Sequence, residues 1–138
     1  MIIVIDTNIL VGACMGSSAA NEVIASCLRK DHQPIIGTTL FAEYVDVLNR
    51  EELFTRCHLD SAERNELLDI FLASCRWTDI YYGWRPNLRD EGDNHLIELA
   101  VAGHARCVVS RNVNDLMKGE LLFPDIAIMT PEQFLLRG

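Results

Sequence analysis

The sequence predicts an α/β protein, a three-layer α/β/α sandwich around a central parallel sheet. Three observations carry that expectation. Short apolar runs rich in β-branched residues recur along the chain, as suits strands buried on both faces. Segments with the 3.6-residue periodicity of amphipathic helices separate them. The two kinds of segment alternate from one end to the other, the order produced when each parallel strand returns through a helix.

The first run, Met1 to Ile5, is continuous and apolar, reads as a buried strand, and stops abruptly at Asp6-Thr7-Asn8. From about Ser18 to Lys30, Ala20, Val23, Ile24, Cys27 and Leu28 form one helical stripe. Pro34 to Gly37 is a second short strand, and Leu40, Tyr44, Val47 and Leu48 mark a helix that begins near Thr38 or Thr39. Asp60 and Glu63 have capping-box spacing, ahead of a stripe through Leu67, Leu68, Phe71 and Cys75. Ile80 to Tyr82 reads as a third strand, and Arg85 to Gly92 as a polar loop. A helix opens near Asp93 with Leu96, Ile97, Ala100 and Val101 on one face, and Gly103 is its expected stop. Cys107 to Ser110 and Ile126 to Met129 are the last strands. Thr130-Pro131-Glu132-Gln133 then places a capping box with proline at the first helical position.

Composition narrows the class. A chain of 138 residues, 49% of them hydrophobic, can bury a core, and one domain over 1–138 is expected. No apolar run approaches the ~18 residues of a membrane-spanning helix, and the opening lacks a basic leader, so a cytoplasmic protein away from membranes is expected. Five cysteines without C-x-x-C spacing argue against a disulfide framework or a structural zinc, and suit small core residues. The four histidines show no H-E-x-x-H pattern. A net charge of −8 argues against broad electrostatic binding of nucleic acid, but not against meeting phosphate through a divalent cation.

Four acids stand at informative positions. Asp6 follows the first strand and belongs at the carboxyl edge of the sheet, where ligands bind in such folds; the plain alternative is an Asx turn or helix cap. Glu43 occupies the i+3 position of its own helix's apolar stripe and is expected to turn toward the sheet, or else to lie at the stripe's margin and reach water. Asp93 opens a helix and could simply cap it, although Asp90 three residues earlier adds a second acid. Asp115 follows the strand Cys107–Ser110 by a short polar loop, again at the carboxyl edge, with turn chemistry as its alternative. Topology would gather these groups, and a hard divalent cation, Mg²⁺ or Mn²⁺, would remove their mutual repulsion better than zinc.

Ile3-Val4-Ile5-Asp6-Thr7-Asn8-Ile9-Leu10 resembles the opening signature of the PIN-domain family, a hydrophobic strand followed by D-T-N/S. Glu43 on an early helix, the segment Asp90-x-x-Asp93-Asn94-x-Leu96-Ile97-Glu98-x-Ala100, and Val108-Val109-Ser110-Arg111-Asn112-x-x-Asp115-Leu116 are similar to the family's other blocks, in order and across the chain. Length and order most resemble VapC-like toxins of prokaryotic toxin–antitoxin pairs. The resemblance implies a PIN-like α/β/α fold and a Mg²⁺- or Mn²⁺-dependent endoribonuclease cutting single-stranded RNA. Asp6, Glu43, Asp93 and Asp115 would be its acidic quartet, catalytic and metal-holding, and Thr7, Asn8, Ser110 and Asn112 would support it. It also implies a homodimer and a small antitoxin partner. Relatives often carry two adjacent acids where this chain has Asp93-Asn94, and an acid in place of Asn112. Which of Asp90, Asp93 and Asn94 faces the metal, and whether Asn112 is a ligand, therefore stays open. Arg85, Arg89, Arg111 and Lys118 are candidate phosphate contacts, and Tyr81, Tyr82 and Trp84 candidate base-stacking rings, unless the arginines pair with acids and the rings pack inside. The rival function is a PIN-like module with weak or no activity that works through protein or RNA binding. A phosphotransfer receiver lacks its late Lys here, and a haloacid-dehalogenase-type phosphatase lacks its D-x-D.

Overall fold

The computed structural model describes residues 1–80, 91–114, 116 and 123–137, the side chains of 91–94 excepted. The residues named above at Tyr81, Tyr82, Trp84, Arg85, Arg89, Asp90, Asp115 and Lys118, and the side chains of Asp93 and Asn94, lie outside them.

Five parallel strands, β1 (Ile2–Ile5), β2 (Gln33–Ile36), β3 (Arg76–Trp77), β4 (Cys107–Val109) and β5 (Ala127–Met129), form the sheet in the order β3-β2-β1-β4-β5. The expected α/β/α fold is therefore observed. The helices given in full by the described residues are α1 (Thr7–Cys14), α2 (Ser18–Leu28), α3 (Thr38–Leu48), α4 (Ser61–Ser74), α5 (Glu91–Ala102) and α6 (Pro131–Arg137), with a 3₁₀ turn at Glu51–Phe54. Ile3, Val4 and Ile5 of β1 and all three residues of β4 are fully buried, as strands covered on both faces must be. No single helix among the described residues is long and apolar enough to cross a membrane.

The order of the strands positions the site. The chain builds outward from β1 through β2 to β3, then crosses back to lay β4 on the other side of β1. The connections thus leave in opposite directions at β1 and β4, which opens a crevice at the carboxyl ends of that pair. Ile5 is in register with Val109, so Asp6 and Ser110, the next residues, lie side by side there.

Two local departures from the sequence reading have physical causes. Helix α1 was not expected. Asp6 caps it, accepting from the Thr7 N–H, and Ile9, Leu10, Ala13 and Cys14 supply a buried face in only eight residues. Its end turns at Gly16, whose φ of +93° lies in the left-handed region, before Ser17 caps α2. A strand at Arg76–Trp77 was not expected; it is a two-residue, exposed edge strand with no apolar run to announce it, and the strand expected at 80–82 lies, Ile80 apart, outside the described residues. Gly103 follows α5 as expected, though for space rather than φ. A Cβ there would meet Ile35 Cδ1 at 2.3 Å, and the left-handed residue is His104 at φ 57°. The capping boxes at Asp60/Glu63 and Thr130/Gln133 both form.

Tyr44 ties α3 to β1. Its ring is fully buried and its hydroxyl donates to the Ile5 carbonyl at 2.5 Å, one residue from Asp6. Arg64 does comparable work at the far end of α3. Its buried guanidinium donates to the carbonyls of Leu48 and Leu59 and to Glu51, and stacks over Phe54.

Tyr44→Phe should lower unfolding stability by about 1–2 kcal/mol, because the Ile5 carbonyl keeps its burial and loses its donor; urea denaturation with an unchanged m-value is the check. Burial pushes the thiols of Cys14 up to about 11 and of Cys27, Cys75 and Cys107 up to about 12. These four should react slowly with a thiol-specific disulfide reagent at pH 8 and fully in guanidinium chloride.

Candidate functional site

Asp6 is held by both the sheet and α1. Its N–H donates to the Val109 carbonyl at 2.9 Å, so the backbone is locked to β4. Its carboxylate is nearly buried, at 7% residue exposure, and accepts three hydrogen bonds. Oδ1 takes the Thr7 N–H at 2.7 Å, and Oδ2 takes Ser110 Oγ at 2.6 Å and Asn8 Nδ2 at 3.3 Å. Ser110 Oγ in turn accepts the Asn112 N–H at 2.9 Å, and Asn8 Oδ1 accepts the Arg111 N–H at 3.1 Å. The loop after β4 is thereby fastened to the loop after β1.

Glu43 reaches the same place from α3. It turns neither to the sheet nor freely to water; its side chain is 36% exposed. Oε1 accepts from Thr7 Oγ1 at 2.7 Å, and Oε2 faces His95 Nε2 of α5 at 2.9 Å. Thr7 therefore bridges the two carboxylates, its backbone donating to Asp6 and its hydroxyl to Glu43. His95 had no part in the sequence reading. The available signal was its place four residues before the buried Leu99, which puts it on an inward face of α5.

The two acids are driven in opposite directions. Burial raises the proton affinity of Asp6 above the ordinary value, a rise that the bonds from Ser110 and Thr7 oppose and the nearby Glu43 charge reinforces. The bond from His95 holds Glu43 below the ordinary carboxylate value, helped by Thr7 and opposed by burial.

Asp6, Glu43, Thr7, Asn8 and Ser110 thus meet at the carboxyl edge, and Asn112 joins them through its backbone. Asp93 lies in the first turn of α5, two residues before His95. Arg111 pairs through its guanidinium with Glu132 and donates to Ser17 Oγ at 3.3 Å, the acid pairing that the sequence offered as its alternative. A cavity of about 810 Å³ lies at the opposite, amino edge, lined by Met1, Ile2, His104, Arg106 and Arg137 among others. Its described lining has one acid, Asp125, so the chemistry points to the carboxyl edge instead.

Among the described residues no three His, Cys, Asp or Glu side chains converge as a complete metal site. The donors present nonetheless suit a hard cation. They are carboxylates backed by hydroxyls and an amide, and a carboxylate offers about four acceptor positions, of which Asp6 has used three and Glu43 two. A buried carboxylate that folding makes costly to ionise is also a group that a nearby cation would relieve.

The shifts predict opposite pH responses. Folded Asp6 binds its proton more tightly than the unfolded chain, so its ionisation weakens the fold as pH rises through and above 3.8. The stability of Asp6→Asn relative to wild type should therefore rise as pH increases from 3.8 to 7. Glu43 is the reverse: its contribution is present above 4.5 and is lost as pH falls through its lowered folded value. Glu43→Gln should be less stable than wild type at pH 7 and approach it in acid. Urea unfolding at a series of pH values checks both.

No curated protein matches the chain. One chain of a solved structure, the crystal structure of VapBC2 from Rickettsia felis bound to a DNA fragment from their promoter, shares the fold with a TM-score of 0.61 at 19% identity. The alignment covers 93% of this chain and 97% of that one. The family model for the PIN domain matches residues 2–114, which hold β1 through β4 and every described residue of the site. The chain belongs to the PIN-domain family.

Proposed function

We propose that this protein is a metal-dependent endoribonuclease acting on single-stranded RNA, the toxin of a toxin–antitoxin pair. The observation that carries the reading is the Asp6–Thr7–Glu43 chain: two carboxylates at the topological switch point, joined through one threonine and given opposite proton affinities. Such a split suits different roles for two acids of one site.

Asp6, Asp93 and Asp115 would hold a Mg²⁺ or Mn²⁺, with Asp90 and Asn112 as further candidate ligands. When bound, the ion would lower the pKa of water and offset charge on a phosphate oxygen. Thr7, Asn8 and Ser110 keep the Asp6 carboxylate in one orientation. Glu43 is held ionised by Thr7 and His95 and retains acceptor positions on Oε1 and Oε2, one of which takes the proton of the attacking water. Attack at phosphorus breaks the bond to the 3′ oxygen, leaving a 5′-phosphate and a 3′-hydroxyl.

Substrate affinity must be local, because the chain carries a net charge of −8 and Arg111 is engaged. Arg85, Arg89 and Lys118 are the proposed phosphate contacts. The toxin assignment is supported by family membership and by the fold shared with a chain of the VapBC2 structure. It brings with it a small antitoxin, a homodimer and a cytoplasmic location as proposals.

Purified protein should cut an end-labelled single-stranded RNA with Mn²⁺ and not with excess chelator. Asp6→Asn and Glu43→Gln should each lower kcat/KM by about 10²–10⁴-fold. Cleavage unaffected by chelator and by both substitutions would overturn the reading.

A further inference from the structure

His95 meets the second oxygen of a carboxylate, Glu43, that Thr7 already holds by the first. The Glu43 side chain is long and partly open to water, so left alone it would sample several rotamers. Two donors from two different helices prevent that. Thr7 Oγ1 of α1 donates to Oε1, and His95 Nε2 of α5 meets Oε2. With one bond on each oxygen, the carboxylate can neither swing about its stem nor spin about its own axis.

His95 is an expensive residue to place here. Its side chain is 12% exposed, and Nδ1 is buried with no hydrogen-bond partner among the described residues. If His95 only filled space, an apolar side chain would do so without burying a polar nitrogen unsatisfied. An unsatisfied atom of this kind is tolerated where the rest of the group has a task. Among the described residues the one polar bond of the ring is that from Nε2 to Glu43. The unpartnered Nδ1 favours the tautomer with the hydrogen on Nε2, the form that donates to a carboxylate.

We infer that His95 is a positioning residue which, with Thr7, clamps the Glu43 carboxylate so that it acts on water rather than as a principal anchor of the cation. The inference rests on the nuclease reading for its kinetic consequence but not for the bond itself. It separates the duties of the acids. Asp6, buried and held at the β1–β4 edge, belongs with the anchoring aspartates; Glu43, reaching the site from α3 and partly open to water, belongs with proton transfer.

Four substitutions test it. Gln places its amide nitrogen near the position of the imidazole Nε2, Asn near Nδ1, Phe keeps the ring without a donor, and Ala removes both. His95→Phe, His95→Ala and His95→Asn should each lower kcat for RNA cleavage by about 10–100-fold, with KM and the Mn²⁺ dissociation constant from calorimetry changed by less than about threefold. His95→Gln should restore most of kcat. A His95→Phe protein with wild-type kcat, a His95→Gln protein as impaired as His95→Phe, or a loss confined to KM or to Mn²⁺ affinity would each overturn the inference. The bond is tested without activity by ¹⁵N imidazole spectra. The His95 Nε2 resonance should carry a proton and shift in Glu43→Gln, and an unmoved resonance overturns the inference even where cleavage is intact. A wild-type protein that cuts no RNA would instead sink the nuclease reading, and the spectra would still decide whether His95 holds Glu43.

Discussion

The parallel pairing of β1 with β4 is the constraint from which the site follows. Because the chain reverses its direction of winding between these strands, the crevice at their carboxyl ends is left uncovered by a crossover helix. Because Ile5 is in register with Val109, the residues that follow each strand must be neighbours, and here those are Asp6 and Ser110. The bond from the Asp6 N–H to the Val109 carbonyl extends the ladder one residue past β1 and fixes the carboxylate against β4. A slip of one residue would turn Asp6 to the other face of the sheet and dissolve the arrangement. The buried Val4/Val108 layer beneath makes such a slip costly, since it would exchange the positions that face each side of the core.

Short side chains carry most of the organisation. Thr7, Asn8 and Ser110 offer donors on stems too short to wander, so their hydrogen bonds cost little conformational entropy. They support an acid that burial alone would neutralise, and the balance leaves Asp6 raised but surrounded by donors suited to its ionised form. Glu43 is the opposite case, a long side chain whose position depends on partners contributed by α1 and α5. The three helices α1, α3 and α5 thus meet through one carboxylate. The negative total charge is consistent with this economy: recognition and chemistry are local, not a property of the whole surface.

The sheet was legible because buried parallel strands write themselves as continuous apolar runs, and Ile2–Ile5 and Cys107–Val109 are such runs. Arg76–Trp77 was not, since an exposed edge strand of two residues carries no pattern. Helix α1 was hidden by its polar opening, although Asp6 as cap and Ile9, Leu10, Ala13 and Cys14 as a face were its signature. At the site, Asp6 could be read from its position alone, because the end of a strand is a place in the fold as well as in the sequence. Periodicity placed Glu43 on the apolar stripe but could not tell the sheet from a neighbouring helix as its target. Its contact with His95 spans 52 residues and two helices, and nothing local to either residue announces it. Arg111 illustrates the converse: its acidic partner Glu132 lies on α6, so the sequence could not show that the cation was already engaged.

Paramagnetic line broadening by Mn²⁺ tests the central claim most directly, because it reports where a divalent ion sits without requiring a substrate. In ¹H–¹⁵N spectra of the protein, small additions of Mn²⁺ should first erase the amide signals of Thr7, Asn8, Ser110 and Asn112, and leave those near Arg106 and Arg137 at the amino edge intact. Broadening that begins at the amino edge, or that spreads evenly over exposed acids and spares the residues around Asp6, would contradict a metal site at the carboxyl ends of β1 and β4.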